Sequence, residues 1–410
     1  MIDGGPMSES IDFDPFEPGF DAWPYDQYRR LREQDPVHWS DLLCGWVLTR
    51  YDEVTRVLRD PRVSSELERA ESSAVVDLLL ARQDRRPRDG TTLVLTDDPD
   101  HARLRKALQA PFTARSVEQL RASIERRVHD RLDELAPLGS MELIGDFAYP
   151  LPVAVFCDML GIPEEANEQF RQWTAAVATS LDLVISDDVY DACMDRIDEM
   201  EQYLSEMVEW KRAEPADDVL SALVAVEEDG QRLSHGELIA QLVTLYVAGH
   251  EPTSALIGNG MVALAAHPDQ LARLQAEPQL VPNAVQELLR YDGPNQFVRR
   301  IVLEPITFGD RTLEPGQVLY LGVGAANHDP ARWGDTAERL VVDRPDAAQH
   351  VQFGGGVHHC LGAHLARLQA EVALGALLGR LDDLQLDGDP VWSGRTTLRT
   401  VAEVRLSYSG

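Results

Sequence analysis

Phe353-Gly354-Gly355-Gly356-Val357-His358-His359-Cys360-Leu361-Gly362-Ala363-His364-Leu365-Ala366-Arg367 sets one thiol in a glycine-rich turn that runs directly into a helical pattern. Glycine adopts unusual dihedrals without a Cβ penalty, so the turn can fold tightly around the Cys360 sulfur. A helix following it would aim its N-terminal N–H groups at that sulfur, and both features favour thiolate over thiol. A thiolate so placed beside the apolar Phe353 suits an axial ligand to a haem iron. Zinc fits poorly, because structural zinc sites want paired Cys or His at short spacing and no second cysteine lies nearby. Cys44, Cys157 and Cys193 are scattered, so the four cysteines make no disulfide framework.

The chain has 410 residues, 44% of them hydrophobic and 26% charged, the balance of an ordinary globular protein. Its formal net charge of −31 disfavours nucleic-acid binding, which relies on Lys and Arg neutralising phosphate. The cations are nearly all arginine; the lysines are Lys106 and Lys211. No apolar run is long enough for a transmembrane helix, and the acidic first 20 residues lack the basic and apolar regions of a signal peptide. No membrane association and a cytoplasmic location are expected.

Residues 21–34 and 51–58 read as helices, and residues 36–39 and 45–49 as a strand pair. Residues 64–90 give no clear periodicity apart from a mostly apolar run at 75–80. From Pro99 to about Tyr291 the pattern is helical, broken at Pro137-Leu138-Gly139, Gly161-Ile162-Pro163 and His267-Pro268. Strand-like runs return at 301–308 and 318–322, with a weaker one at 396–406. The pattern is mainly α with small β-sheets.

The cysteine segment closely resembles the ligand loop of the cytochromes P450, in which the thiolate pushes electron density onto the iron and favours O–O cleavage. The resemblance implies a single large P450 domain, a triangular prism over residues 21–410. Residues 1–20 would form a poorly ordered extension. It also implies haem b (iron protoporphyrin IX), ligated by Cys360 and enclosed by Phe353, Gly354 and Gly362. Haem propionates need cationic partners, and three segments match the family's: His101 and Arg105 in Asp97-Asp98-Pro99-Asp100-His101-Ala102-Arg103-Leu104-Arg105, Arg300 after Pro294, and His358. Glu287-Leu288-Leu289-Arg290 puts two opposite charges on one helical face. It resembles the family's E-x-x-R motif, whose third member would be Arg344 in Val342-Asp343-Arg344-Pro345. Asn327-His328-Asp329-Pro330 and Pro315-Gly316 match further landmarks.

Gln241 to Ser254 resembles the helix that crosses the oxygen-binding face of P450 haem. The small Ala248 and Gly249 would let it approach the haem plane. The family continues with an acid and then a Thr, which relay protons to dioxygen. Here the acid is Glu251 and the next residue is Pro252. Proline has no N–H, so the Ala248 carbonyl would lose its partner and the helix would kink. Thr253 lies about 100° further round the helix, and a kink would have to re-aim it. Otherwise water or a substrate group supplies the relay, or the reaction depends less on stepwise proton delivery. Substrate would be lined by residues 64–95, 175–189, 295–298 and 396–397, with Asn295 and Gln296 offering amides among Phe297, Val298 and Thr397.

The chain is therefore expected to be an oxidoreductase using dioxygen to hydroxylate or otherwise oxidise a small secondary metabolite. Oxidative C–C or C–N coupling of aromatic or cyclodipeptide substrates is an alternative motivated by Pro252. A noncatalytic haem protein that binds a small ligand is an alternative of another class. Electrons would come from a ferredoxin and ferredoxin reductase. An acidic ferredoxin would dock on a local basic patch formed by Arg103, Lys106, Arg115 and Arg367.

Overall fold

Ser234 opens the longest helix, His235–Ala265, with a capping box: its hydroxyl accepts from Glu237 N at 3.1 Å, and the Glu237 carboxylate accepts from Ser234 N at 2.8 Å. The 31-residue helix is apolar on nearly every face, so it is buried rather than surface-lying. Helices Pro150–Leu160, Val281–Asp292 and Ala363–Arg380 pack around it. Gly258 and Asn259, two turns past its middle, meet the C-terminal strands: a Cβ on Gly258 would lie 2.8 Å from Val401 Cγ1. The computed structural model describes residues 13–409 except 87, 89, 164–165, 181–184 and 226–232. Among the described residues no helix is long and apolar enough to cross a membrane.

A five-stranded sheet flanks the helical part, in the order Val37–Ser40, Gly45–Leu48, Val318–Gly322, Phe297–Val302, Val63–Ser64. Gly45–Leu48 pairs parallel with Val318–Gly322, and the other pairings are antiparallel. Those two central strands are buried along their whole length, as their unbroken apolar runs require. Ser140–Glu142, Arg405–Ser409 and Asp382–Leu386 form a separate three-stranded sheet.

The ambiguous stretch at 64–90 contains a helix, Ala74–Arg85, capped by the Ser73 hydroxyl accepting from Val76 N. Much of its apolar surface stays partly exposed, so its sequence carries no clean helical stripe. The domain boundary expected at residue 20 needs correction. Phe13 and Phe20 are buried and pack against Tyr28, with Phe13 also touching Phe297. Aromatic burial ties this segment to the sheet, so the domain reaches back at least to Phe13. Residues 1–12 lie outside the described part.

Candidate active site

The cysteine turn is built by its glycines. Gly354 and Gly356 take φ of +66° and +65°, and a Cβ on Gly356 would lie 2.5 Å from the Leu58 carbonyl oxygen. Gly354 N donates to Val351 O at 2.9 Å, His359 N to Gly356 O at 3.2 Å and Cys360 N to Phe353 O at 2.9 Å. The Gly362 N–H, at the mouth of helix Ala363–Arg380, acts on the sulfur in the direction that favours thiolate. Arg367 lies over the Phe353 ring at 5.4 Å, and Arg105 donates to the His359 carbonyl at 2.8 Å.

Burial nonetheless pushes the Cys360 thiol up; the Gly362 N–H, Arg105 and Arg367 only partly oppose it. The Gly362 N–H favours thiolate as the helix N-terminus was expected to, but desolvation is the larger effect. A cationic centre bonded to the sulfur is what deprotonates a thiol so placed. Among the described residues no group of three or more His, Cys, Asp or Glu could hold another metal.

Beside this loop, Arg300, His101 and His358 converge. Burial pushes Arg300 down to about 10; its guanidinium donates to the Arg299 carbonyl at 2.7 Å and makes no salt bridge with any of the described residues. The rings of His101 and His358 lie 4.2 Å apart. His101 is buried and its Nε2 has no hydrogen-bond partner. Burial, then Arg300 and His101, holds His358 at about 4. Two carboxylates lie nearby: Asp97, also bound to the Ser64 hydroxyl and to Ser65 N, is 3.7 Å from His358 Nε2, and Asp98 is 3.5 Å from His101 Nδ1. A buried guanidinium without a salt bridge to a described residue, close to an orphaned ring nitrogen, fits a carboxylate-bearing ligand, as haem propionates would be. Arg105 also braces the cysteine loop through its hydrogen bond to the His359 carbonyl.

On the long helix, Leu245, Ala248, Gly249 and Pro252 stay partly or fully uncovered although the helix is otherwise mostly buried. Their spacing makes one stripe. Ala248 lies on its open part. Gly249 needs a different account: a Cβ there would sit 2.1 Å from Phe156 Cε2, so its smallness admits the neighbouring helix. The helix continues through Pro252. Thr253 is buried, and its hydroxyl donates to the Gly249 carbonyl at 2.9 Å, the i−4 bond expected of a Thr one position earlier. Glu251 is buried and accepts from Arg395 Nη1 at 3.0 Å. His250 is fully buried edge-on to Tyr149 at 4.0 Å, and neither ring nitrogen has a hydrogen-bond partner.

Three of the expected pocket residues are committed elsewhere. Asn295 donates to the Gln352 carbonyl at 3.2 Å while its own backbone exchanges bonds with the Gln352 amide. Gln296 is fully buried, accepts from Tyr28 Oη at 3.1 Å and donates to Gly293 O at 2.9 Å. Phe297 packs on Phe13 and Tyr28. Val298 is half-buried and Thr397 is exposed. In the region 175–189, residues 181–184 lie outside the described part.

Glu287, Arg290 and Arg344 meet in one buried network. Arg290 grips Glu287 with Nε at 2.7 Å and Nη2 at 2.9 Å, and Arg344 Nε reaches the same carboxylate at 2.9 Å. Carbonyls of Asn327, Ala337 and Arg339 take further Arg290 donors. Of the expected basic patch, Arg103 is held by Asp100 and Glu237, Lys106 and Arg115 are exposed, and Arg367 is partly buried. Arg395 was not foreseen: it lies 144 residues from its partner in an irregular link, and no local pattern marks it.

A turn that cradles one cysteine, a buried arginine beside two histidines and an uncovered stripe on a central helix fit the haem pocket of an oxygen-activating enzyme. The chain belongs to the cytochrome P450 family: the family's model, described as Cytochrome P450, matches residues 46–391. It is 39% identical to cytochrome P450 107B1 of Saccharopolyspora erythraea over 92% of each chain. It is 38% identical to cytochrome P450 monooxygenase PikC of Streptomyces venezuelae, over 93% of this chain and 90% of that one. The structure superposes on PksS, the cytochrome P450 of the Bacillus subtilis bacillaene polyketide synthase, with a TM-score of 0.87 and 33% identity, covering 97% of this chain and 100% of that one. The protein is thus an oxygen-activating oxidoreductase with haem b as its cofactor, and the family also requires a substrate, dioxygen and a source of electrons.

Proposed function

We propose that this P450 hydroxylates a small, largely apolar secondary metabolite, with Cys360 as the haem ligand and Arg300, His101 and His358 as the propionate anchors. The observation that carries the site assignment is the buried Arg300 beside an orphaned His101 nitrogen, next to the cysteine turn. The names of PikC, a monooxygenase, and of PksS, from a polyketide synthase, support the reaction and the substrate class. When bound, the haem supplies the reductive activation of dioxygen. The chain's own part is to hold the cofactor, orient substrate along the Ala248 stripe with Val298 and Thr397, and admit protons at Glu251. Two electrons and two protons, with dioxygen, convert a substrate C–H into C–OH and release water. Electrons come from a ferredoxin and its reductase, docking near Lys106, Arg115 and Arg367 in the cytoplasm.

The test is turnover of the haem-loaded protein with dioxygen and a surrogate ferredoxin system. Candidate substrates are ranked by the haem spin-state shift they induce, and products are read by mass spectrometry. Incorporation of one oxygen atom from dioxygen is expected. Products formed only by coupling, with no oxygen gained, would contradict the hydroxylation reading.

A further inference from the structure

The link between strands Val391–Trp392 and Val401–Glu403 carries Arg395 to the distal acid. Arg395 Nη1 donates to Glu251 Oε2 at 3.0 Å, and the two side chains are only 17% and 9% exposed. The link is not a loose surface loop. Gly394 N donates to Asp21 Oδ2 at 3.0 Å. Arg399 donates to the carbonyls of Asp21 and Ala22, each at 2.7 Å, pairs with the buried Asp292 and stacks 3.7 Å over Trp392. Val401 N donates to Asn259 Oδ1 at 3.1 Å, fixing the end of the link to the same helix that bears Glu251. Arg395 therefore approaches Glu251 from a frame anchored on both sides.

The two residues that follow Glu251 do not share its task. Pro252 carries neither hydroxyl nor N–H, and the Thr253 hydroxyl is bonded to the Gly249 carbonyl. The buried ion pair with Arg395 is one direct hold on the aim of the Glu251 carboxylate. The same link presents Thr397, exposed and two residues from Arg395, whose carbonyl accepts from Gln296 N at 2.9 Å. One short segment thus bears both a residue offered to substrate and the cation that grips the acid.

We propose that Arg395 is the positioning residue for Glu251. This rests on the reading of Glu251 as the distal acid. Protons delivered in time yield alcohol and water; dioxygen that takes up two electrons and two protons without reacting with substrate leaves as hydrogen peroxide.

The experiment compares Arg395→Ala, Arg395→Lys, Glu251→Gln and the Glu251→Gln/Arg395→Ala double variant as haem-loaded proteins. Arg395→Ala should lower product per dioxygen by about tenfold, the size of one charge-assisted hydrogen bond, with peroxide making up the difference. Substrate affinity, read by the spin-state shift, should stay within about twofold, since the change falls on proton delivery rather than ground-state binding. Arg395→Lys should restore most of the yield. The double variant should be no worse than Glu251→Gln, because both changes remove one interaction. Without substrate or reductant, amide hydrogen exchange across residues 247–253 should quicken in Arg395→Ala and not in Arg395→Lys. If Glu251→Gln is harmful and Arg395→Ala is not, or if their losses multiply, Arg395 does not act through Glu251 and the proposal is overturned. If Glu251→Gln itself leaves the yield unchanged, the failure lies in the proton role of Glu251, and the proposal falls with it.

Discussion

Pro252 lies on the uncovered stripe, where the proposed function would put a hydroxyl facing dioxygen, and the chain keeps its helix intact around it. Thr253 makes the i−4 bond one residue on and is buried, so its hydroxyl is turned into the helix. Pro252→Thr would place a second hydroxyl on the uncovered stripe, bonded to the Ala248 carbonyl when idle. Peroxide released per reductant consumed should then fall by roughly a factor of several, because a positioned proton donor is being added. Unchanged peroxide and product yields would show that a relay at this position does not limit the enzyme. His250 offers a second test at this scale. Burial holds it at about 3, well below its ordinary value. A histidine depressed in the folded state takes up its proton in the unfolded chain first. Below pH ~6.5 it therefore costs about 1.4 kcal/mol of stability per pH unit, until the folded group titrates near 3. Denaturant titrations at several pH values should give a shallower acid slope for His250→Phe than for the parent. Equal slopes would mean that protonated His250 finds an acceptor in the native state and is not depressed there.

At the scale of elements, the Glu287–Arg290–Arg344 network joins helix Val281–Asp292 to the segment before the cysteine turn. Glu287 is wholly buried and also accepts from Val341 N at 2.9 Å. Glu287→Ala leaves two buried guanidinium groups uncompensated and should destabilise the protein by about 3–5 kcal/mol. Chemical denaturation measures this directly, and haem content after purification should fall with it; a loss under 1 kcal/mol would contradict a buried network. The pair was legible because i, i+3 spacing puts both charges on one helical face. The cysteine turn was legible because its glycines are demanded locally, at Gly354 and Gly356, by positive φ. The amides of Asn295 and Gln296 were misread because their partners, Gln352 and Tyr28, lie 57 and 268 residues away. Gly249 was assigned to the haem side because sequence shows that a small residue is needed, while only packing shows that Phe156 needs it. Arg395 was missed for the same reason as the amides.

Over the whole molecule, mainly helical layers with small sheets followed from hydrophobic periodicity, but the position of the N-terminal edge did not. Phe13 is fully buried among Phe20, Tyr28 and Phe297, so the segment preceding the first helix is part of the core. Phe13→Ala should cost about 3–5 kcal/mol, as truncating a buried Phe generally does. Thermal unfolding of the two proteins checks it, and an unchanged midpoint would move the domain edge back towards residue 21. The same segment, through Asp21 and Ala22, holds the link that presents Arg395. Loosening the N-terminal edge should therefore reach the distal acid, a coupling across the chain's two ends.

The account depends above all on Cys360 being a thiolate ligand to haem. The direct measurement is the absorption spectrum of the dithionite-reduced, carbon monoxide-bound protein, alongside that of Cys360→His. The native protein should give the strongly red-shifted Soret band of a thiolate-ligated haem, and Cys360→His should give the band typical of histidine ligation. A native spectrum of the histidine type, or a red-shifted band that survives in Cys360→His, would contradict the assignment.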